Sequence, residues 1–164
     1  MIYDTTDIRR QDRLLDRSAA EQLLRTAEYG VLSMCDENGK PYAVPINFVW
    51  DDAATIYLHC APEGKKLRAI AHNPSVSLCV VGRVALQANL FTTEYESVIV
   101  SGTATVVTDD DERWSAIRLL LHKFAPDYEV EGTAAAKKSL HRLAMIRLEM
   151  DCVSGKSKRI KDNV

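Results

Sequence analysis

Hydrophobic and polar positions along this chain repeat with a period of two over several stretches and shift to a helical period between them. Thr55 to Cys60 shows the first pattern most clearly: Ile56, Leu58 and Cys60 share one face, Tyr57 and His59 the other. Pro62 and Gly64 break that strand. Lys65 to Asn73 resumes as a helix, with Leu67, Ile70 and Ala71 on one apolar face, and Asn73-Pro74 ends it. Upstream, Val31 to Cys35 and Pro41 to Trp50 flank the turn Asp36 to Lys40 and predict a hairpin. Pro45 cannot donate to a ladder, so its strand must be an edge or be bulged there. Downstream, Val76 to Val84 is apolar on both faces, as in a buried strand. Tyr95 to Val107 sets Val98, Val100, Ala104 and Val106 against Ser97, Ser101, Thr103 and Thr105, with Gly102 permitting a bend. Leu143 to Val153 reads as the last strand.

The helical pattern returns three more times. Ser18 and Glu21 fit a capping box that opens a helix over 19–28, stopped at Gly30. Thr108 caps a helix whose stripe is Trp114, Ile117, Leu120, Leu121 and Phe124, halted at Pro126. Its acidic start, Asp109 to Glu112, suits the helix dipole and needs no metal. Thr133 to His141 predicts a third, short helix, and Ala85 to Glu94 a crossover. Residues 1–17 read as an extended surface arm and 155–164 as a solvated basic tail. About six strands joined mostly by hairpins predict a mainly β fold, an antiparallel barrel with peripheral helices, within a single domain over 1–164.

Bulk charge narrows the partners. Lysine and arginine number 21 against 23 acidic residues, a net charge of −2, so no global field recruits nucleic acid or membrane. The four cysteines, Cys35, Cys60, Cys79 and Cys152, show no C-x-x-C spacing, and no apolar run nears eighteen residues. A cytoplasmic location is the expectation. The four histidines lack metal-ligand spacing, so no metal site is expected, and neither a Rossmann nor a P-loop glycine pattern occurs.

The candidate chemistry lies where the Thr55–Cys60 strand meets its helix. Lys65 and Lys66 fall in the first helical turn, where the positive end of the dipole disfavours cations and backbone N–H groups lack partners. Two readings stand: both lysines are simply solvated, or an anion such as a phosphate accepts from those N–H groups and pairs with the lysines.

Several segments together resemble the flavin-binding split-barrel proteins related to pyridoxamine-phosphate oxidase. They are Gly-Lys-Pro-Tyr-Ala-Val-Pro-Ile-Asn-Phe (39–48), Ile-Tyr-Leu-His-Cys-Ala-Pro-Glu-Gly-Lys-Lys (56–66), Asn73-Pro74 and Tyr-Glu-Ser-Val-Ile-Val-Ser-Gly-Thr-Ala (95–104). Tyr57-x-His59 with Gly64-Lys65-Lys66, the 95–104 segment and Ser154-Gly155-Lys156 resemble the nitroimidazole-resistance branch most. The resemblance implies a six-stranded split β-barrel and a homodimer with FMN at the subunit interface. It implies that Gly64, Lys65 and Lys66 hold the FMN phosphate, that Pro45, Ile46 and Asn47 line the isoalloxazine ring, and that His59 and Cys60 sit beside it. Tyr95 and Ser97 match the strand contributing to the interface and pocket. The arginine and histidine with which pyridoxamine-phosphate oxidases grip substrate have no counterpart after Leu148, so vitamin B6 oxidation is not the expected reaction.

Two functions follow from the resemblance. One is an FMN-dependent oxidoreductase reducing a small organic acceptor, nitroaromatics included, with His59 as candidate proton donor. The other is a non-catalytic flavin- or haem-binding or sensing protein. His59 reads equally as a hydrogen-bonded pocket residue.

Overall fold

The computed structural model describes residues 2–160. Seven strands and four α-helices follow one another as β1 (Ile2–Tyr3), α1 (Arg17–Thr26), β2 (Tyr29–Cys35), β3 (Pro41–Trp50), β4 (Thr55–Cys60), α2 (Lys65–His72), β5 (Ser75–Gln87), β6 (Thr92–Val106), α3 (Asp110–Phe124), α4 (Glu129–Ser139) and β7 (Ala144–Lys158). Six strands close a ring in the order β7-β4-β3-β2-β5-β6 and back to β7, every neighbouring pair antiparallel. β7 is long enough to serve three partners. It meets β4 over Ala144–Glu149, β6 along its other edge, and β1 in parallel at Cys152 and Val153.

Period-two alternation turns one side chain in two into the ring. Leu32, Phe48, Ile56, Leu58, Leu78 and Leu148 are fully buried there. A second cluster forms outside the ring, where Ile117 and Leu120 of α3 cover Val49 of β3 and Met145 of β7. α3 is also fastened by charge: Glu112 accepts from the Tyr57 hydroxyl at 3.1 Å and from the Arg147 guanidinium at 3.1 Å and 3.2 Å. Asp109 caps its first turn by accepting from the Glu112 N–H.

Pro45 lies on an edge. β2 flanks all of β3 from Pro41 to Asn47, whereas β4 joins only at Phe48–Trp50. Gly102 sits at the β6–β7 register shift, where a β-carbon would collide with the Glu149 carbonyl oxygen.

Other expectations are corrected. The first helix starts at Arg17 and ends at Thr26, because Asp16, not Ser18, caps it by accepting from the Ala19 N–H at 2.9 Å. Glu21 instead pairs with Arg17 across one turn. The expected crossover over 85–94 is the far half of a β5–β6 hairpin. A bulge between Val81 and Val84 breaks the alternation that would have marked β5 as continuous, and the chain reverses through Ala88–Leu90 with Phe91 left-handed at φ 49°. The last α-helix begins at Glu129, earlier than Thr133. The arm is only partly superficial, because Ile8 and Leu15 are buried and the Tyr3 hydroxyl donates to the Leu15 carbonyl. The tail is strand as far as Lys158: Gly155, Lys156 and Lys158 pair with Val98, Ser97 and Tyr95. Residues 161–164 of that tail lie outside the described residues.

Candidate functional site

α2 begins at Gly64, whose φ of 142° is open to glycine and strained for any side chain, and no side chain caps the first turn. Its first turn lines a recess of about 180 Å³ together with Tyr42, Cys60 and Glu63, and Lys65 and Lys66 stand on that turn. The two lysines differ. Lys65 is compensated: its amine lies 3.1 Å from the Asp36 carboxylate and 4.6 Å above the Tyr42 ring. Asp36 is the one charged residue buried among those described. Its carboxylate also accepts from the Lys40 and Asn38 N–H groups at 2.9 Å and 3.0 Å. The Lys40 N–H first, then Lys65, hold its carboxyl below the usual carboxylate range. Lys66 has no ion-pair partner among the described residues, although Glu63 lines the same recess.

A second, larger cavity of about 410 Å³ opens on the outer face of β3 and β4, under α3 and α4. Asn47 and His59 form its polar end. Ile117, Leu121, Phe124 and Ala136 stand among its apolar walls. Continuing the β3–β4 register one step past Phe48 and Leu58 sets Asn47 opposite His59. The Asn47 amide donates to the Glu28 carbonyl at 2.8 Å, which fixes its orientation. His59 is accessible from the cavity, yet the protein around it, and Lys66 second, pull its imidazole below its ordinary value. It is therefore neutral at pH 7. Burial raises the neighbouring Cys60 thiol, against the opposing pull of Lys66. His59 lines the apolar cavity and Cys60 the lysine recess, so the two sites take consecutive residues from opposite faces of β4.

The remaining sequence candidates fall elsewhere. Pro45 is exposed on the free edge of β3, while Ile46 is 8 % exposed and points into the ring, leaving only its backbone for a ligand. Tyr95 and Ser97 stand on β6 opposite Lys158 and Lys156 and line neither cavity. Sequence reading missed Asp36, which it took as a turn residue, and the cavity walls on α3 and α4. It also missed Lys123, whose amine donates to the Phe48 carbonyl at 3.0 Å and lies 4.2 Å from the Phe48 ring. Burial pushes that amine down to about 8. Among the described residues no cluster of three His, Cys, Asp or Glu could hold a metal ion, and no helix is long and apolar enough to cross a membrane.

The whole arrangement is that of a helix-decorated antiparallel ring carrying a lysine-lined recess and an apolar cavity. The sequence profile of the pyridoxamine 5'-phosphate oxidase family matches residues 16–157, and the chain belongs to that family. No curated protein matches it. Its fold is shared with a candidate 5-nitroimidazole antibiotic resistance protein from Bacteroides thetaiotaomicron, at 21 % identity and TM-score 0.73, covering 88 % of this chain and 86 % of that one. An FAD and heme binding protein from Mycobacterium smegmatis matches at 24 % identity and TM-score 0.71, covering 91 % and 75 %. An FAD-binding protein from Mesorhizobium loti matches at 24 % identity and TM-score 0.61, covering 90 % and 98 %.

Proposed function

We propose that this protein is an FMN-dependent oxidoreductase of split-barrel type that passes electrons to a small organic acceptor. One observation carries the reading: the uncapped start of α2, with Lys65 and Lys66, lines a recess whose Cys60 is the chain neighbour of His59, which with Asn47 forms the polar end of the larger cavity. The recess fits a phosphate on its own chemistry, because an uncapped helix start and a Lys66 without an ion pair both call for an anion. The ring of the flavin would then run past Cys60 toward Pro45, Asn47 and His59. Bound flavin supplies two-electron chemistry; the chain binds, orients and excludes water. Neutral His59 has one ring nitrogen to accept a proton or hydrogen bond and one N–H to donate a hydrogen bond.

The dimer reading accounts for Tyr95 and Ser97, which sit too far round the ring to meet their own Asn47. Residues directly opposite in an antiparallel pair share a face. The registers place Pro45, Val31, Cys79, Ile99 and Ser154 on one outward surface, with Val81 and Ser97 beside them. Tyr29 and Val81 are 59 % and 53 % exposed on it, a large apolar surface for a lone chain. Packing two such faces about a twofold axis along the strands sets β6 of one copy over β3 of the other, delivering Tyr95 and Ser97 to the partner's flavin. A folded, flavin-loaded monomer in sedimentation at micromolar concentration contradicts this.

The test of function is anaerobic reduction of the purified protein by NADH or NADPH, then mixing with candidate acceptors. Reoxidation that saturates with acceptor supports an oxidoreductase. A flavin that no acceptor reoxidises makes the protein a binder, and a Soret band makes it a haem protein, as relatives of this fold include a heme binding one.

A further inference from the structure

We infer that the cavity under α3 and α4 is the acceptor site, and that it selects an uncharged, ring-sized organic molecule over a phosphorylated or carboxylated one. The inference deepens the flavin reading above and rests on it for the word acceptor, though the cavity's own chemistry does not depend on flavin. Its volume of about 410 Å³ lies within the usual range of small-molecule sites. Seven of its ten lining residues are apolar, three are polar, and none is Asp, Glu, Lys or Arg. A carboxylate or phosphate entering it would leave water without gaining a counter-charge, which is costly.

The nearby cations are committed elsewhere. Lys123 precedes Phe124 on α3 but turns its amine onto the Leu24 and Phe48 carbonyls. Lys65 is tied to Asp36, and Lys66 lines the recess on the other side of Cys60. His59 is the sole titratable group lining the cavity, and burial and Lys66 keep it neutral at pH 7. A neutral imidazole and the Asn47 amide can each hydrogen-bond one polar substituent without demanding a charge. The site thus has one polar end beside the proposed flavin position and, on two helices, a remainder that is apolar but for Ser139, whose hydroxyl donates to the Ala135 carbonyl. Family membership alone would suggest a phosphorylated substrate. The walls argue against it.

Nitrobenzene and 4-nitrobenzoate share a ring and a nitro group and differ by one charge, so their dissociation constants from the full chain test the inference. Titrations followed by amide NMR shifts serve both the flavin-loaded protein and the protein stripped of flavin. Nitrobenzene should bind at least ~10-fold more tightly, with shifts centred on α3 and α4. Ala136→Trp should fill the cavity and abolish that binding while flavin content stays the same. Leu121→Arg should supply the missing counter-charge and turn the preference toward 4-nitrobenzoate, a gain that misfolding cannot imitate. Equal affinity of the two probes for the parent, or unchanged binding by Ala136→Trp, overturns the inference. If the charge preference holds in a protein that takes no flavin, the cavity assignment stands and the flavin reading falls. If flavin binds and the preference is absent, the cavity assignment alone falls.

Discussion

The two cavities take consecutive residues of β4, His59 and Cys60, but are built by opposite means. The lysine recess is made by seven residues of one short stretch, from Cys60 through the turn to Leu67, with Tyr42 contributed by the adjacent hairpin. What it offers a ligand is electrostatic: an uncapped helix start, Lys66 without an ion pair, and Lys65 held by Asp36 and Tyr42. The apolar cavity draws on β3, β4, α3, α4 and the chain before β7, over nearly a hundred residues of sequence. Its selectivity comes from what it lacks, a counter-charge. A site built locally can be strong in one charge-assisted contact, whereas a site assembled from distant elements depends on the packing that holds them apart.

Perturbations should therefore separate. The largest effect is expected from Lys65→Ala with Lys66→Ala, which removes two charge-assisted contacts and should weaken FMN on the order of 10³-fold. Of the single variants Lys66→Ala should cost more, because Lys65 already spends part of its charge on Asp36. Isothermal titration measures both, and equal single losses would show that Asp36 does not share Lys65.

His59→Ala should keep FMN yet lower acceptor turnover by roughly 10²-fold, the scale of a lost acid–base group. Equal turnover at equal flavin content would make His59 a wall. Loss of flavin would move it to the binding side of the comparison.

Glu112→Ala should act on the apolar cavity alone. It leaves the Tyr57 hydroxyl without its partner and Arg147 with Glu149 alone, and should destabilise the fold by about 1 kcal/mol in chemical denaturation, the groups being partly exposed. Acceptor affinity should fall as α3 loosens, and FMN affinity should not. The smallest effect tests the contact between the regions: Lys66→Ala should raise the imidazole pKa of His59, since Lys66 is one cause of its depression. Histidine NMR titration reads this directly. Because the folded-state value lies below the unfolded one, the unfolded state binds the extra proton. The contribution of His59 to stability is thus present above about pH 6.5 and lost as pH falls through its folded value.

The difference in construction also decides what the sequence could tell. The recess was legible because Gly64, Lys65 and Lys66 are adjacent, and breaking a helix-end preference is a local signal. The compensation of Lys65 was not, since Asp36 reaches it across a hairpin and reads locally as a turn residue. Strand periodicity revealed the ring wherever one face is buried. It failed at Gly82 and Arg83, where a bulge interrupts the alternation and hides the far half of β5. Likewise Ser154 to Lys158 lacks apolar alternation and owes its strand geometry to pairing with β6. The stripe on α3 was visible, but not that Leu121 and Phe124 at its end would be left lining a cavity instead of core. That depends on where α4 and the β7 entry settle.

The central claim is that a flavin is held by its phosphate at the start of α2. Titrating flavin-free protein with FMN and with riboflavin, followed by quenching of flavin fluorescence, tests it most directly, because the two ligands differ only in that phosphate. The account predicts one FMN per chain and riboflavin at least ~10²-fold weaker. Equal affinity for the two, or binding of neither, would contradict it.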